Sequence, residues 1–251
     1  MQLKGAVAIV TGGTGGIGAA CVDYLGDNGC KVAAWDIHVD EVALRAEVSY
    51  TACDITDEGS VMEALNACKS KFGVPSILIH CAGILGGERV LGREGVASLE
   101  TFQRIINVNL SGTFNVLRLV AAEMAARAAD SATGERGVII NTGSIAAYEG
   151  QIGQAAYAAS KGGVTSMTLP IARELARSGI RVMTIAPGAV ETPMMENVPQ
   201  EYQDAITANI PFPSRFAKAE EFAMLAGHIV ENPMLNGETI RLDGAARLPA
   251  K

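Results

Sequence analysis

The chain has 251 residues, 49% of them hydrophobic, and a formal net charge of −7. That length and apolar content suffice to bury one α/β core, so a single domain over residues 1–251 is expected. The negative balance argues against a surface built for phosphate backbones, and so against nucleic acid as a principal partner.

Met1-Gln2-Leu3-Lys4-Gly5 leads straight into an apolar β-like run, with neither a secretory h-region nor an Arg-rich transit segment. No apolar run reaches the ~18 residues of a membrane span. A cytoplasmic protein without a membrane partner is expected. Cys21, Cys30, Cys53, Cys68 and Cys81 form no C-x-x-C pair and have no histidines at metal-ligand spacing. They are expected to be free core thiols, and no metal is expected.

The first predicted strand runs from Ala6 to Val10. It is followed by Thr11-Gly12-Gly13-Thr14-Gly15-Gly16-Ile17-Gly18. Glycines between a first strand and a first helix allow a tight turn and close backbone approach to a pyrophosphate at the helix N-terminus. Gly12, Thr14, Gly16, Ile17 and Gly18 are therefore candidate cofactor contacts. The second strand, Lys31 to Trp35, ends at Asp36, about 20 residues beyond the glycines, where a carboxylate can accept from both ribose hydroxyls and would repel a 2′-phosphate. This favours NAD over NADP.

The third strand, Ser49 to Ala52, leads into Cys53-Asp54-Ile55. Asp54, with Ile55, is placed either to meet the adenine or to cap the following helix. The fourth, Ser76 to His80, leads into Cys81-Ala82-Gly83, whose small residues let backbone lie against a ribose or simply make a turn. Residues 84–98, with four glycines, form a long connection of the kind that often carries function. Asn109 has poor propensity for the helix it occupies, which suggests a purpose such as holding a water in a proton relay.

The fifth strand, Val138 to Thr142, is followed by Ser144, and the next helix carries Tyr157 and Lys161, four positions apart and so on one face. The sixth strand, Arg181 to Ala186, precedes Pro187-Gly188. Thr192 then stands within reach of a nicotinamide carboxamide, or caps a following helix. Pro187 to Arg215 is a second long loop, with Pro193, Pro199, Pro211 and Pro213. Thr239 to Leu242 is the last strand. Short β-branched runs alternating with Ala-rich amphipathic stretches specify a Rossmann-type, doubly wound parallel sheet with helices on both faces and a crevice at the carboxyl ends of its strands.

The chemistry follows from the trio. A free phenol titrates near ~10 and is a poor base. A neighbouring ammonium, Lys161, is expected to lower the pKa of Tyr157 into a useful range, while Ser144 holds the substrate oxygen. The three histidines offer no competing catalytic pair, and no G-x-S-x-G nucleophile elbow is present.

These residues resemble the short-chain dehydrogenase/reductase family over essentially the whole chain. Its T-G-x-x-x-G-x-G signature matches Thr11 to Gly18, and its Ser, Tyr-x-x-x-Lys and helical Asn fall on Ser144, Tyr157, Lys161 and Asn109. His80-Cys81-Ala82-Gly83 departs from the family's usual Asn-Asn-Ala-Gly, leaving open how the central strand is tied to its neighbours. Within the family, stretches such as Gly150 to Tyr157, Arg181 to Gly188 and Asn236 to Gly244 are most similar to type-2 3-hydroxyacyl-CoA dehydrogenases, which also act on hydroxysteroids.

The resemblance implies NAD-dependent, reversible oxidation of an (S)-3-hydroxyacyl-CoA in fatty-acid or branched-chain amino-acid breakdown. It also implies a homotetramer, a substrate contact at Gln154, and an 84–98 loop at the site entrance, where Arg89 or Arg93 either meets CoA phosphates or is simply solvated. The alternatives are a dehydrogenase or reductase for another carbonyl, such as a steroid, a secondary alcohol or a 3-oxoacyl-carrier-protein, and a non-catalytic dinucleotide-binding scaffold.

Overall fold

The computed structural model describes residues 1–39, 45, 47–93, 95–192 and 200–250, with 200, 202, 204 and 205 described by backbone alone. The main elements in chain order are β1 (Val7–Thr11), α1 (Gly16–Asp27), β2 (Lys31–Asp36), β3 (Val48–Ala52), α2 (Glu58–Phe72) and β4 (Ile77–His80). Then come α3 (Leu99–Ile106), a π-helical segment (Asn107–Gly112), α4 (Thr113–Ala126), β5 (Gly137–Thr142), α5 (Ala155–Leu175), β6 (Ile180–Pro187), α6 (Gln200–Thr207), α7 (Ala219–Glu231) and β7 (Thr239–Leu242). The seven strands form one sheet in the order β7-β6-β5-β4-β1-β2-β3, every pairing parallel. The order reverses between β1 and β4, which places a crevice at their carboxyl ends.

The central strands are apolar at every position because both faces are covered. Side chains of one parity, including Ala8, Val10, Ile77, Ile79, Val138 and Ile140, pack under α1 and α7. The other parity, including Ile9, Leu78, Ile139 and Val182, packs under α2, α4 and α5. Each fully buried Ile or Leu contributes roughly 1.5–3 kcal/mol relative to exposure, so the two half-cores carry most of the fold. Of the five cysteines, four are buried in this way, but Cys81 is only half-buried.

The two long connections are not structureless. Residues Leu91–Gly92 and Gly95–Val96 pair as a short antiparallel hairpin, and Val190–Glu191 pairs with Ala217–Lys218. Pro193 and Pro199 lie outside the described residues. One continuous helical rod, Leu99–Ala126, is long and apolar enough by composition to cross a membrane. It packs instead on the sheet, with Val116, Leu117, Val120 and Met124 in the core.

Candidate active site

The crevice is a cleft of about 780 Å³, and it brings together residues from the carboxyl ends of β1 to β6, but none from β7. Gly12, Thr14, Gly16, Ile17 and Gly18 line it with Asp36, Asp54, Ile55, Cys81, Ala82 and Gly83, and Ser144, Tyr157, Lys161, Pro187, Gly188 and Thr192 complete it. Asn109 and Gln154 do not line it.

The phosphate end is built by backbone. Gly12 has φ +66°, and a Cβ there would stand 2.8 Å from Ala82 N, so the turn rests directly on the residues after β4. A Cβ on Gly18 would overlap the Gly12 carbonyl oxygen. Gly15, the N-cap of α1, offers no side-chain cap, and the first turn of that helix holds no acidic residue. Its first N–H groups therefore remain free to receive an anion, reinforced by the helix dipole.

Asp36 marks the ribose end. Its Oδ2 accepts from Thr14 N (3.2 Å) and Thr14 Oγ1 (2.6 Å), and Oδ1 accepts from Ile37 N (2.8 Å). A carboxylate has about four acceptor sites and three are used here, so one remains for a ribose hydroxyl. Bare glycine backbone at one end and a fixed carboxylate at the other fit a dinucleotide.

Asp54 is not the cap of α2. Its Oδ1 accepts from Thr56 N and Thr56 Oγ1 in a local turn, and the helix is capped by Asp57, whose side chain accepts from Ser60 N at 2.6 Å. Asp54 thus stays at the cleft wall. Thr192 lies against the turn, its Cγ2 3.3 Å from where a Gly16 Cβ would be; the helix it was expected to cap falls outside the described residues.

At the catalytic end, Ser144 opens a single 3-10 turn after β5 and accepts from Ala146 N, which leaves its own proton to donate. Tyr157 and Lys161 share one face of α5. Burial raises the pKa of Tyr157, and a hydrogen bond with Ser144 acts in the opposite direction. The expected lowering by Lys161 is not what this geometry gives. Lys161 Nζ is 5.9 Å from the Tyr157 ring centroid and donates to the Thr142 carbonyl at 2.8 Å. Being 5% exposed, Lys161 is itself brought down to about 8, because burial disfavours its charge.

Asn109 is held by protein partners. It sits in the π-helical segment, fully buried, with Oδ1 accepting from Ile84 N (2.8 Å) and Nδ2 donating to Ile84 O (2.9 Å) and Ser160 Oγ (3.2 Å). The amide replaces a strand partner for the chain leaving β4. The π segment turns it inward, and such segments occur often at functional sites.

The question raised by His80 is answered by Thr11. Its Oγ1 lies 3.0 Å from His80 Nδ1 and accepts from Ala82 N at 3.2 Å, which ties β4 to β1 without an asparagine.

Gln154 lies just before α5, its Nε2 3.4 Å from Gln151 Oε1 and its own Oε1 buried without a protein partner. Arg89 and Arg93 are exposed and outside the cleft. Besides Lys161, the cleft wall holds the cation Arg104, with Asn107 and Val108 one turn on, and none of these three was singled out from sequence. The signal available was helical spacing: residues three and four apart on α3 and the π segment share a face.

The profile described as short chain dehydrogenase matches residues 6–203. The human protein named 3-hydroxyacyl-CoA dehydrogenase type-2 is 47% identical over 254 residues, covering 98% of this chain and 97% of its own. A crystal structure titled 3-hydroxyacyl-CoA dehydrogenase type-2 from Mycobacterium avium superposes with TM-score 0.92 at 42% identity, covering 98% of both chains. A 3-ketoacyl-(acyl-carrier-protein) reductase from Brucella melitensis, solved in complex with NADH, superposes with TM-score 0.85 at 29% identity, covering 98% of this chain and 100% of its own.

Proposed function

Because the chain belongs to the short-chain dehydrogenase family and is an oxidoreductase that takes a nicotinamide dinucleotide, we propose that it catalyses the NAD-dependent, reversible oxidation of (S)-3-hydroxyacyl-CoA to 3-oxoacyl-CoA. The observation that carries this reading is the placing of Ser144, Tyr157 and Lys161 at one end of a single cleft whose other end is Asp36.

Gly12, Gly16 and the first N–H groups of α1 would hold the pyrophosphate, and Asp36 the adenosine ribose. When bound, NAD supplies the acceptor for the hydrogen and electron pair that leave the carbinol carbon. Ser144 donates to the substrate oxygen and fixes it beside Tyr157. Tyr157 takes the hydroxyl proton as the carbonyl forms, as a phenolate that the hydrogen bond with Ser144 favours against burial, and gives it back in the reverse direction. Lys161, close to neutrality at about 8, can release and regain a proton at Nζ, which suits passing that proton onward. Asp36 supports NAD over NADP, since a 2′-phosphate would meet a carboxylate already fixed by Thr14.

The site-residue roles, the cytoplasmic setting and a homotetrameric state belong to the same proposal. Leu117, Val120, Ala121 and Met124 are turned to the sheet, so a tetramer would use what remains outside, such as Phe114 on α4 and Leu169 on α5, 49% and 43% exposed. Light scattering on the purified protein tests the assembly.

NADH formation from (S)-3-hydroxybutyryl-CoA, compared with a 3-hydroxyacyl-carrier-protein, a hydroxysteroid and a secondary alcohol, tests the activity. Preference for the CoA thioester is expected; turnover of only another substrate would overturn the substrate assignment.

A further inference from the structure

At the carboxyl ends of the four central strands, four polar residues stand side by side. The strand register pairs Thr11 with His80, His80 with Asn141, and Asn141 with Thr184. They continue the side-chain parity of Ile9, Leu78, Ile139 and Val182, so the row faces the helices α4 and α5. None is more than 2% exposed. Polar groups at such depth need internal partners, because an unpaired buried donor or acceptor is costly.

The two ends of the row have partners. Thr11 bonds with His80 Nδ1 and Ala82 N, and Thr184 Oγ1 lies 2.6 Å from Thr168 Oγ1, whose proton goes to the Val164 carbonyl. The middle of the row has a different pattern. His80 Nε2, Asn141 Oδ1 and Asn141 Nδ2 have no hydrogen-bond partner among the described residues and do not bond each other directly, although the two residues are direct register neighbours. Their chemistry is complementary in either tautomer. An imidazole Nε2 is a donor or an acceptor, and a primary amide offers both.

This pair stands directly behind the catalytic end of the cleft. Asn141 precedes Thr142, the residue whose carbonyl receives Lys161. His80 precedes the strip that ends at Gly83, where a Cβ would lie 3.6 Å from Lys161 Nζ. We propose that His80 and Asn141 form a hydrogen-bonded pair, bridged by one water, that positions Lys161 by fixing the Thr142 carbonyl to which its ammonium is anchored.

His80 is a positioning residue in this account and works as a neutral ring. Burial and then the charge of Lys161 on α5 push its pKa down to about 3, while its strand neighbours Thr11 and Asn141 carry no charge and Cys81 follows it on the chain. A protonated ring would place two cations in one buried site and give both nitrogens a proton to donate.

The kinetic part of the test rests on the dehydrogenase reading; the spectroscopic part does not. In His80→Leu, kcat should fall about tenfold or more with KM for NAD within about threefold, and the ionisation near 8 in the kcat–pH profile should move. His80→Asn, which returns an amide, should stay within about threefold of the unsubstituted enzyme. Independently, nitrogen NMR of the unsubstituted protein should show one of its three histidines, assigned through His80→Asn, staying neutral across acidic to neutral pH with Nε2 at a hydrogen-bonded shift. That shift should change in Asn141→Leu.

Wild-type kcat and pH profile in His80→Leu, or equal loss in His80→Leu and His80→Asn, would overturn the positioning role. A free-imidazole Nε2 shift in the unsubstituted protein would overturn the pair itself, even if Asn141→Leu does not fold. No turnover of acyl-CoA by the unsubstituted enzyme would instead count against the substrate, and the Nε2 shift would still decide the pair.

Discussion

Lys161 is anchored to the carbonyl of Thr142 at 2.8 Å and stands 5.9 Å from the ring centroid of Tyr157. The four-residue spacing does put the two side chains on one face of α5, as the sequence predicts. Sharing a face brings groups near one another without deciding which acceptor the ammonium selects. A backbone carbonyl at the end of β5 wins here, and the Tyr157 phenol is governed first by its burial.

That buried ammonium should weaken the fold near neutral pH. Its pKa in the folded protein lies below the ordinary 10.5, at about 8. Between those values the unfolded chain binds more protons, so stability rises with pH across that window, and below about 8 the penalty is complete. The difference corresponds to on the order of 3 kcal/mol. Lys161→Met is expected to be inactive, yet more stable to thermal unfolding than the parent at neutral pH by about 1–3 kcal/mol after the lost hydrogen bond is counted. Unfolding curves at several pH values check this, and the gain should vanish as pH rises toward 10.5.

His80 predicts an acid limb. Its folded pKa is lowered from 6.5 to about 3, so the stability held above 6.5 is lost as pH falls toward 3. The slope is at most about 1.4 kcal/mol per pH unit from this group alone. In His80→Asn the unfolding free energy should depend less steeply on pH over that interval, a difference readable by urea titration of the two proteins in parallel.

Asp54 and Asp57 separate two roles that a single short segment holds. Asp57→Ala removes the cap on Ser60 N and should lower stability by about 1 kcal/mol with little change in cofactor affinity. Asp54→Ala leaves the cap in place and should raise the dissociation constant for NAD. Unfolding and NADH fluorescence titration on both variants give the comparison; a reversed pattern would contradict these assignments.

Asp36 should govern the choice of dinucleotide. Asp36→Ala deletes the acceptor for Thr14 and the carboxylate that would face a 2′-phosphate. KM for NAD is expected to rise about tenfold while NADP becomes usable, because a charged hydrogen-bonding group contributes roughly 1.5–3 kcal/mol. Initial rates with the two cofactors measure the switch.

The sheet was legible because strands buried on both faces become uninterrupted apolar runs, and Thr239–Leu242 matches to the residue. Other ends shift by one position, where strand pairing extends past the apolar run, as at Thr11 and Asp36. The cofactor turn was legible because only glycines permit its contacts. Asn109 was harder. Its unfavourable helix propensity was visible, but the π segment that turns it onto Ile84 leaves no mark in composition. The acceptor for Lys161 was invisible for a simpler reason: every residue carries a carbonyl, so no side chain announces the one at Thr142. Arg104 on the cleft wall was missed because an arginine on a helix resembles any other solvated face until the helix is placed.

The role proposed for Tyr157 is transfer of the proton in a nicotinamide-dependent oxidation. Its most direct test is the kcat for NADH formation from (S)-3-hydroxybutyryl-CoA in Tyr157→Phe, measured alongside NADH binding by fluorescence. A loss of about 10²–10⁴-fold in kcat with cofactor affinity nearly unchanged is expected, as removal of a general base requires. A variant that keeps parental kcat while binding NADH normally would contradict it.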